Sequence, residues 1–220
     1  MPGGDCSGKK VLVRRFGLLL IIAGIALLAI PLWQWAQSYN FQRRALAELD
    51  NPVMEPVETG ENEEPLLQNP VPENPVQESL PPYLGLLEIY KLKVRVAVVH
   101  GVSKEDLKKG PGFYPQSSHP ELGNVSIASH RASHGSYFLH LDKLVPGDEI
   151  RLTLGNTTYR YEVYDNFITD SRDWSVIAST GKPEITLTTC IITDLSVRLI
   201  VKGELVEIIR NKPPQELETT

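Results

Sequence analysis

Residues 149–168 read EIRLTLGNTTYRYEVYDNFI. Apolar and polar residues alternate through Arg151–Leu154 and again through Thr158–Val163, as they do in strands that bury one face. The pair Gly155-Asn156 separates the two runs, and such a pair favours a two-residue turn between antiparallel strands. The stretch therefore predicts a β-hairpin and indicates an all-β domain.

Further β-rich runs lie on both sides of this hairpin. The predicted strands span Leu84–Ile89, Leu92–Val99, Asn124–Ala128, Glu149–Leu154, Thr157–Ile168, Glu184–Thr189, Ser196–Val201 and Glu204–Ile209. Lys202-Gly203 is predicted to turn the last hairpin. Short helices are predicted after a serine cap at Ser103 and across 136–144, where apolar residues recur at helical spacing. About eight strands separated in this way predict a closed or nearly closed β-barrel.

An uncharged apolar segment precedes this domain. No charge occurs between Arg15 and Arg43, and a run of this length suits the roughly 30 Å hydrocarbon core of a bilayer. Four basic residues precede it and two follow it, which predicts a cytoplasmic N-terminus at residues 1–15. We therefore expect residues 16–36 to be a single-pass signal anchor in a cell membrane, with the later residues outside. A signal peptide cleaved near Ala36-Gln37-Ser38 is the alternative.

The charge of the chain is concentrated between the anchor and the domain. Residues 45–82 carry nine acidic residues and no basic one, and eight prolines occur between Asn51 and Pro82. We therefore assign a spacer to residues 37–82 and expect its proline-rich part, 51–82, to be extended, with a reach on the order of 90 Å at about 3.1 Å per residue. Residues 83–210 then form one domain, followed by a polar tail at 211–220. The domain has no basic patch, which argues against nucleic acid as a partner.

Cys190 is the most informative single residue. The chain has two cysteines, and Cys6 lies before the predicted membrane segment, so the two thiols are expected on opposite sides of the bilayer. An exported thiol without a partner is typical of a reactive group, although a small apolar core residue fits as well. His130 and Arg198 are candidate neighbours, because an imidazole can protonate a leaving amine and a guanidinium can donate to an oxyanion.

At these residues the chain resembles the sortases, a family of Gram-positive cysteine transpeptidases. Residues 186–190 match their Thr-Leu-x-Thr-Cys run at every fixed position. Residues 123–131 match their Gly-Asn-x-x-Ile-Ala-Gly-His-Arg segment except at Ser129, which replaces a glycine. Arg198 precedes an apolar run, as the arginine of that family does. The resemblance spans roughly residues 84–210.

The resemblance implies a bacterial cell membrane as the location, and it implies a site and a reaction. Cys190 is expected to attack the Thr–Gly bond of an LPxTG-like sorting signal, while His130 protonates the leaving amine and Arg198 steadies the substrate. An amine of a peptidoglycan precursor, or another amine, then accepts the acyl group. Thr189 is a candidate oxyanion donor or an ordinary strand threonine, and Trp174 is a candidate substrate contact or a surface tryptophan. No cofactor is expected to be required, and calcium activation stays unassigned.

Several alternatives remain open at this point. The chain has no Asp-Pro-aromatic lid and no second apolar segment near its C-terminus, so it looks more like class D sortases than the pilin-polymerising members. A pilin-polymerising sortase remains one alternative, and a non-catalytic anchored adhesion or interaction module is another. A zinc hydrolase is the third alternative, and its candidate ligands are His119, His130, His134 and His140.

Overall fold

The computed structural model describes residues 6–50 and 85–211. Residues 1–5, 51–84 and 212–220 lie outside this range, so the proline-rich part of the spacer, the first two residues of the predicted domain and nearly all of the tail stay predictions. Within the described residues there are two α-helices and eight strands. They are α1 (Cys6–Asp50), β1 (Gly85–Ile89), β2 (Val94–His100), α2 (Lys104–Lys109), β3 (Gly112–Phe113), β4 (Asn124–Ala128), β5 (Glu149–Leu154), β6 (Thr157–Asp170), β7 (Glu184–Cys190) and β8 (Val197–Arg210).

The eight strands close into a barrel in the order β1-β2-β3-β4-β7-β8-β6-β5. This confirms the predicted fold class. The pairs β2–β3 and β4–β7 are parallel, and all other neighbours are antiparallel. Parallel neighbours need long connections, and here these connections carry α2 and the residues that surround the candidate site.

The hairpin that indicated the fold is present as predicted. β5 and β6 pair antiparallel, with Leu154 opposite Thr157, and Gly155 adopts a positive φ of 53° in the turn. Every second residue of β5 is buried, which is the predicted alternation. Leu152 and Tyr161, both fully buried, belong to the hydrophobic core that fills the barrel.

The predicted turn at Lys202-Gly203 is wrong. β8 continues through it as one strand of 14 residues, because β6 and β7 pair with its two edges at the same point. Gly203 serves close packing there. A methyl group at this position would lie 3.1 Å from the Glu162 carbonyl oxygen and 3.2 Å from Ile185 Cγ2.

The two predicted short helices have different outcomes. Ser103 caps α2 as expected, and its side chain and that of Asp106 form a reciprocal capping box. The prediction of a helix across 136–144 is wrong, because the described helical part is a 3-10 turn at Leu141–Lys143. Ser136 has a φ of 50°, outside the right-handed helical region, so the chain cannot start a helix there.

α1 is longer than the predicted anchor. Among the described residues it is the one helix long and apolar enough to cross a membrane, and it continues from the predicted span to Asp50. The predicted spacer therefore differs from the structure over residues 37–50, which are helical. No proline or glycine lies between Pro31 and Pro52, so nothing in the sequence ends the helix at residue 36.

Candidate active site

Strands β4, β7 and β8 bring three predicted site residues to one end of the barrel. β4 and β7 run parallel with Ala128 opposite Thr188, so His130 and Cys190, each two residues further on, lie at the same level. β8 runs antiparallel to β7 and places Arg198 opposite Cys190. Residues directly opposite each other on antiparallel strands have Cβ atoms about 4.5–5.5 Å apart. A thiol, an imidazole and a guanidinium thus share one edge of the barrel.

Cys190 and Thr189 lie on opposite faces of β7, because side chains alternate along a strand. Ile185 and Leu187 belong to the barrel core, and Thr189 follows the same inward alternation. Its hydroxyl donates a hydrogen bond to the Ser129 carbonyl oxygen at 2.8 Å. Cys190 is half-buried on the other face and has a free thiol. The structure therefore does not bring the Thr189 hydroxyl to the thiol, and it gives that hydroxyl a different partner.

His130 is half-buried and lies against His134. The two imidazole rings are 5.1 Å apart between centroids. Burial lowers the pKa of His130, and the nearby His134 lowers this pKa further. Burial also lowers the pKa of His134, and Lys108 adds to this effect while Glu105 opposes it. Both imidazoles therefore favour the neutral form more than a solvated histidine does. The sequence singled out His134 as a possible zinc ligand and missed it as the neighbour of His130.

Arg198 is held in place by its own loop. Its Nη1 donates to the carbonyl oxygens of Leu195 and Val197, both at 3.0 Å. Within the described part of the chain, Nε and Nη2 make no protein hydrogen bond, so both remain able to donate to a bound acyl group. The loop after β4, which carries His130, is held by a separate contact, because Arg131 Nη2 forms an ion pair of 2.6 Å with Asp142.

A small cavity of about 100 Å³ opens beside Arg198. Thr188, Trp174 and Ile200 contribute to its wall. Trp174 begins a 3-10 turn that is capped by Asp173, whose carboxylate accepts from Ser175 and from Thr169. The tryptophan is 62% exposed, so its ring is available at the rim of the cavity. A substrate contact by Trp174 stays a prediction.

The four candidate zinc ligands are not gathered in one place. His119 packs edge-on against Tyr159 at 6.0 Å, whereas His130 and His134 lie together. Within residues 6–50 and 85–211, no three His, Cys, Asp or Glu side chains converge as metal ligands. Two acidic residues of α2 also have protein partners: Glu105 pairs with Lys108 at 2.6 Å, and Asp106 caps the helix.

The fold and the site define a class of closed β-barrel proteins with a cysteine, a histidine and an arginine at one edge. The family model described as "Sortase domain" matches residues 87–206, which is more than half of the chain. The chain therefore belongs to the sortase family.

Similar proteins include sortase D of Bacillus subtilis, with 36% identity over 108 residues, which are 48% of this chain and 53% of that protein. Sortase A of Bacillus anthracis is 30% identical over 56% of this chain and 60% of its own length. The chain thus spans little more than half the length of these curated relatives.

Solved structures agree with this assignment. A Clostridium perfringens Sortase D5 transpeptidase superposes with a TM-score of 0.53 and 31% identity, covering 56% of this chain and 79% of that one. Sortase E1 of Streptomyces coelicolor, solved with a tripeptide in its active site, gives a TM-score of 0.55 and 32% identity over 60% of this chain and 94% of that one. The similarity to sortase D and Sortase D5 supports the class D-like assignment.

Proposed function

We propose that this protein is a membrane-anchored cysteine transpeptidase that cleaves an LPxTG-like sorting signal between threonine and glycine. The observation that carries the proposal is the common level of Cys190, His130 and Arg198 at the end of three neighbouring strands. These groups come from segments up to 68 residues apart in the sequence, and core packing alone does not require them to meet at an exposed edge.

The reaction follows from the three side chains. The Cys190 thiolate attacks the threonine carbonyl carbon, and a C–S bond forms while the carbonyl oxygen gains negative charge. Arg198 donates hydrogen bonds to that oxygen or to the adjacent backbone of the substrate. The C–N bond then breaks, and the His130 imidazolium gives its proton to the departing glycine amine. The product of this half-reaction is a thioester on Cys190 and a neutral imidazole.

The second half-reaction reverses these roles. An acceptor amine attacks the thioester carbonyl and loses a proton to the neutral His130. A new C–N bond forms, the C–S bond breaks, and the thiolate is restored. Amino acid side chains supply every group in this scheme, so it needs no cofactor. The acceptor we propose is the amine of a peptidoglycan precursor.

The proposed setting is the outer face of a bacterial cell membrane. α1 would cross the bilayer with the N-terminus in the cytoplasm, because the basic residues are more numerous before the apolar run than after it. The cavity beside Arg198 and Trp174 would receive a side chain of the sorting signal. We propose attachment of single proteins to the wall, and covalent ladders of high molecular weight in cells expressing the protein would instead indicate pilin polymerisation.

The test uses the full chain and a quenched peptide that contains an LPxTG signal. The wild type should cleave the peptide between threonine and glycine, and mass spectrometry should find added amine joined to the new threonine carboxyl end. Cys190→Ala should abolish both products, whereas the matched variant Cys6→Ala should retain them. Unchanged cleavage by Cys190→Ala would contradict the proposal. Lack of cleavage by the wild type, together with slow alkylation of Cys190, would favour a non-catalytic module.

A further inference from the structure

The part of α1 that follows the predicted span packs against the barrel. Ser38, Gln42 and Ala45 are buried, and their spacing of four and three residues places them on one helix face. We name residues 38–50 the docking segment. Its contacts continue to its end, where Asp50 pairs with Arg95 of β2 at 2.5 Å.

Gln42 completes an open edge of the barrel. Its Oε1 accepts from the Ala97 amide at 2.7 Å, and its Nε2 donates to the Ala97 carbonyl at 2.9 Å. β2 pairs with β3 only at Val99 and His100, so in the described structure Ala97 has a strand partner on the β1 side of β2 and none on the β3 side. The amide side chain takes the place of that strand. Without it, a buried amide and a buried carbonyl would both lose their partner.

Gly110 leaves the space that Gln42 occupies. A methyl group at Gly110 would lie 2.1 Å from Gln42 Nε2, which is far inside contact distance. The same Nε2 also donates to the Lys109 carbonyl at 3.1 Å. The loop after α2 is therefore shaped to receive a side chain from α1, which a helix resting on the barrel by chance does not explain.

Ser38 connects the helix to the candidate active site. Its Oγ lies 3.2 Å from the carbonyl oxygens of Lys109 and His134 and from the Tyr137 hydroxyl. One hydroxyl proton is available for the two carbonyls, and the tyrosine can donate to the serine oxygen. One of the two carbonyls in reach of the Ser38 hydroxyl therefore belongs to His134, the residue whose ring lies against His130.

The turn at residues 134–136, which contacts Ser38, has backbone conformations of high energy. His134, Gly135 and Ser136 have φ values of 47°, 90° and 50°, and such conformations persist in non-glycine residues when neighbouring contacts determine them. Here the contacts are the bond to Ser38 and the packing of Tyr137, whose ring occupies the space beside Gly135.

We infer that the docking segment is a positioning element of the active site: Gln42 closes the barrel edge at Ala97, and Ser38 holds the turn that places His134 against His130. The inference rests on the proposed function for its catalytic consequence, though not for the docking itself. Direct contacts through Ser38 and His134 would then link α1 to His130. Ser38 follows the predicted span by two residues, or about 3 Å along the helix, so the site would lie close to the membrane surface.

The test compares two glutamines of the same helix in the full chain, reconstituted in lipid nanodiscs. Gln42→Ala removes the buried amide, and Gln37→Ala is the matched control because Gln37 is exposed. Hydrogen exchange should become at least about tenfold faster at the Ala97 amide and across residues 131–137 in Gln42→Ala, and stay unchanged in Gln37→Ala. Gly110→Ala should reproduce the effect of Gln42→Ala through displacement of the same side chain. Equal exchange in Gln42→Ala and wild type would overturn the inference.

A second measurement separates positioning from simple stabilisation. His134 and His130 face each other, and Lys108 and Glu105 of α2 act on His134. Ser38→Ala should loosen this arrangement, so the NMR titration midpoint of His130 should rise towards that of a solvated histidine while the barrel stays folded. An unchanged midpoint would contradict the role of Ser38.

Peptide cleavage provides the catalytic readout. We expect kcat/KM to fall about tenfold in Gln42→Ala and Ser38→Ala, with Gln37→Ala at the wild-type value. If the wild type does not cleave the peptide, the proposed function fails, while hydrogen exchange and the histidine titration still decide whether the helix holds the site. Changes in exchange and titration with unaltered cleavage would overturn the catalytic part of the inference.

Discussion

The sequence left two roles open for Thr189, an oxyanion donor in catalysis or an ordinary strand threonine, and the position of its hydroxyl group decides between them. An oxyanion donor must face the thiol, whereas the structure places this hydroxyl on the inner face, 2.8 Å from the Ser129 carbonyl. Thr189 is 2% exposed and Ser129 is 6% exposed, so water could not easily replace the hydroxyl as the donor to the Ser129 carbonyl if the hydroxyl were removed. The informative change is Thr189→Val, which keeps the shape of the side chain and removes the hydrogen bond.

We expect Thr189→Val to lower the free energy of unfolding by about 1–2 kcal/mol, because a buried carbonyl is left without its partner. For a domain of this size the melting temperature should fall by roughly 3–10 °C. Activity on a sorting-signal peptide should fall by less than about tenfold, since Ser129 supports the backbone before His130. Thr193→Val is the stability control, because Thr193 is exposed in the β7–β8 loop.

The assay pairs thermal unfolding with kcat/KM for peptide cleavage. Loss of an oxyanion donor typically costs about 10²–10³ in kcat and need not affect stability. A hundredfold loss of kcat in Thr189→Val, with an unchanged melting temperature, would therefore refute the structural role. Thr189→Ser retains the hydroxyl and should keep most of the activity.

Three further predictions concern the barrel and its histidines. Gly203→Ala should destabilise the protein by about 1–3 kcal/mol, as measured by urea unfolding, because the added methyl group crowds the Glu162 carbonyl and Ile185; an unchanged urea midpoint would contradict the close packing. Tyr161→Phe should be neutral or raise the melting temperature, because the buried Tyr161 hydroxyl has no hydrogen-bond partner among the described residues; a clear loss of stability would point to a missing partner. The free energy of unfolding should decrease as the pH falls below about 6.5, because burial lowers the pKa of His130 and of His134 and the unfolded chain binds protons first. The double variant His130→Gln/His134→Gln should flatten this dependence, and an identical pH profile would disprove the assignment.

Local patterns predicted much of the barrel correctly. The β5–β6 hairpin followed from alternation and one turn, both of which act between residues close in sequence. Lys202-Gly203 resembled a turn for the same local reason. The structure instead keeps Gly203 inside β8, where it pairs with β6 and β7, two strands that are distant in sequence. β3 has two residues, too few to display a period.

The sequence by itself determined the all-β domain, the apolar helix and, through motif resemblance, the identity of Cys190, His130 and Arg198 as candidates. Only the tertiary structure decided which groups surround them. Strand register placed the three candidates at one edge and turned Thr189 inward. The packing of the loop after β4 placed His134 beside His130, and the packing of α1 placed Ser38 and Gln42 against the barrel. These contacts join segments between 4 and 96 residues apart, and most depend on how the barrel closes rather than on any local preference of the chain.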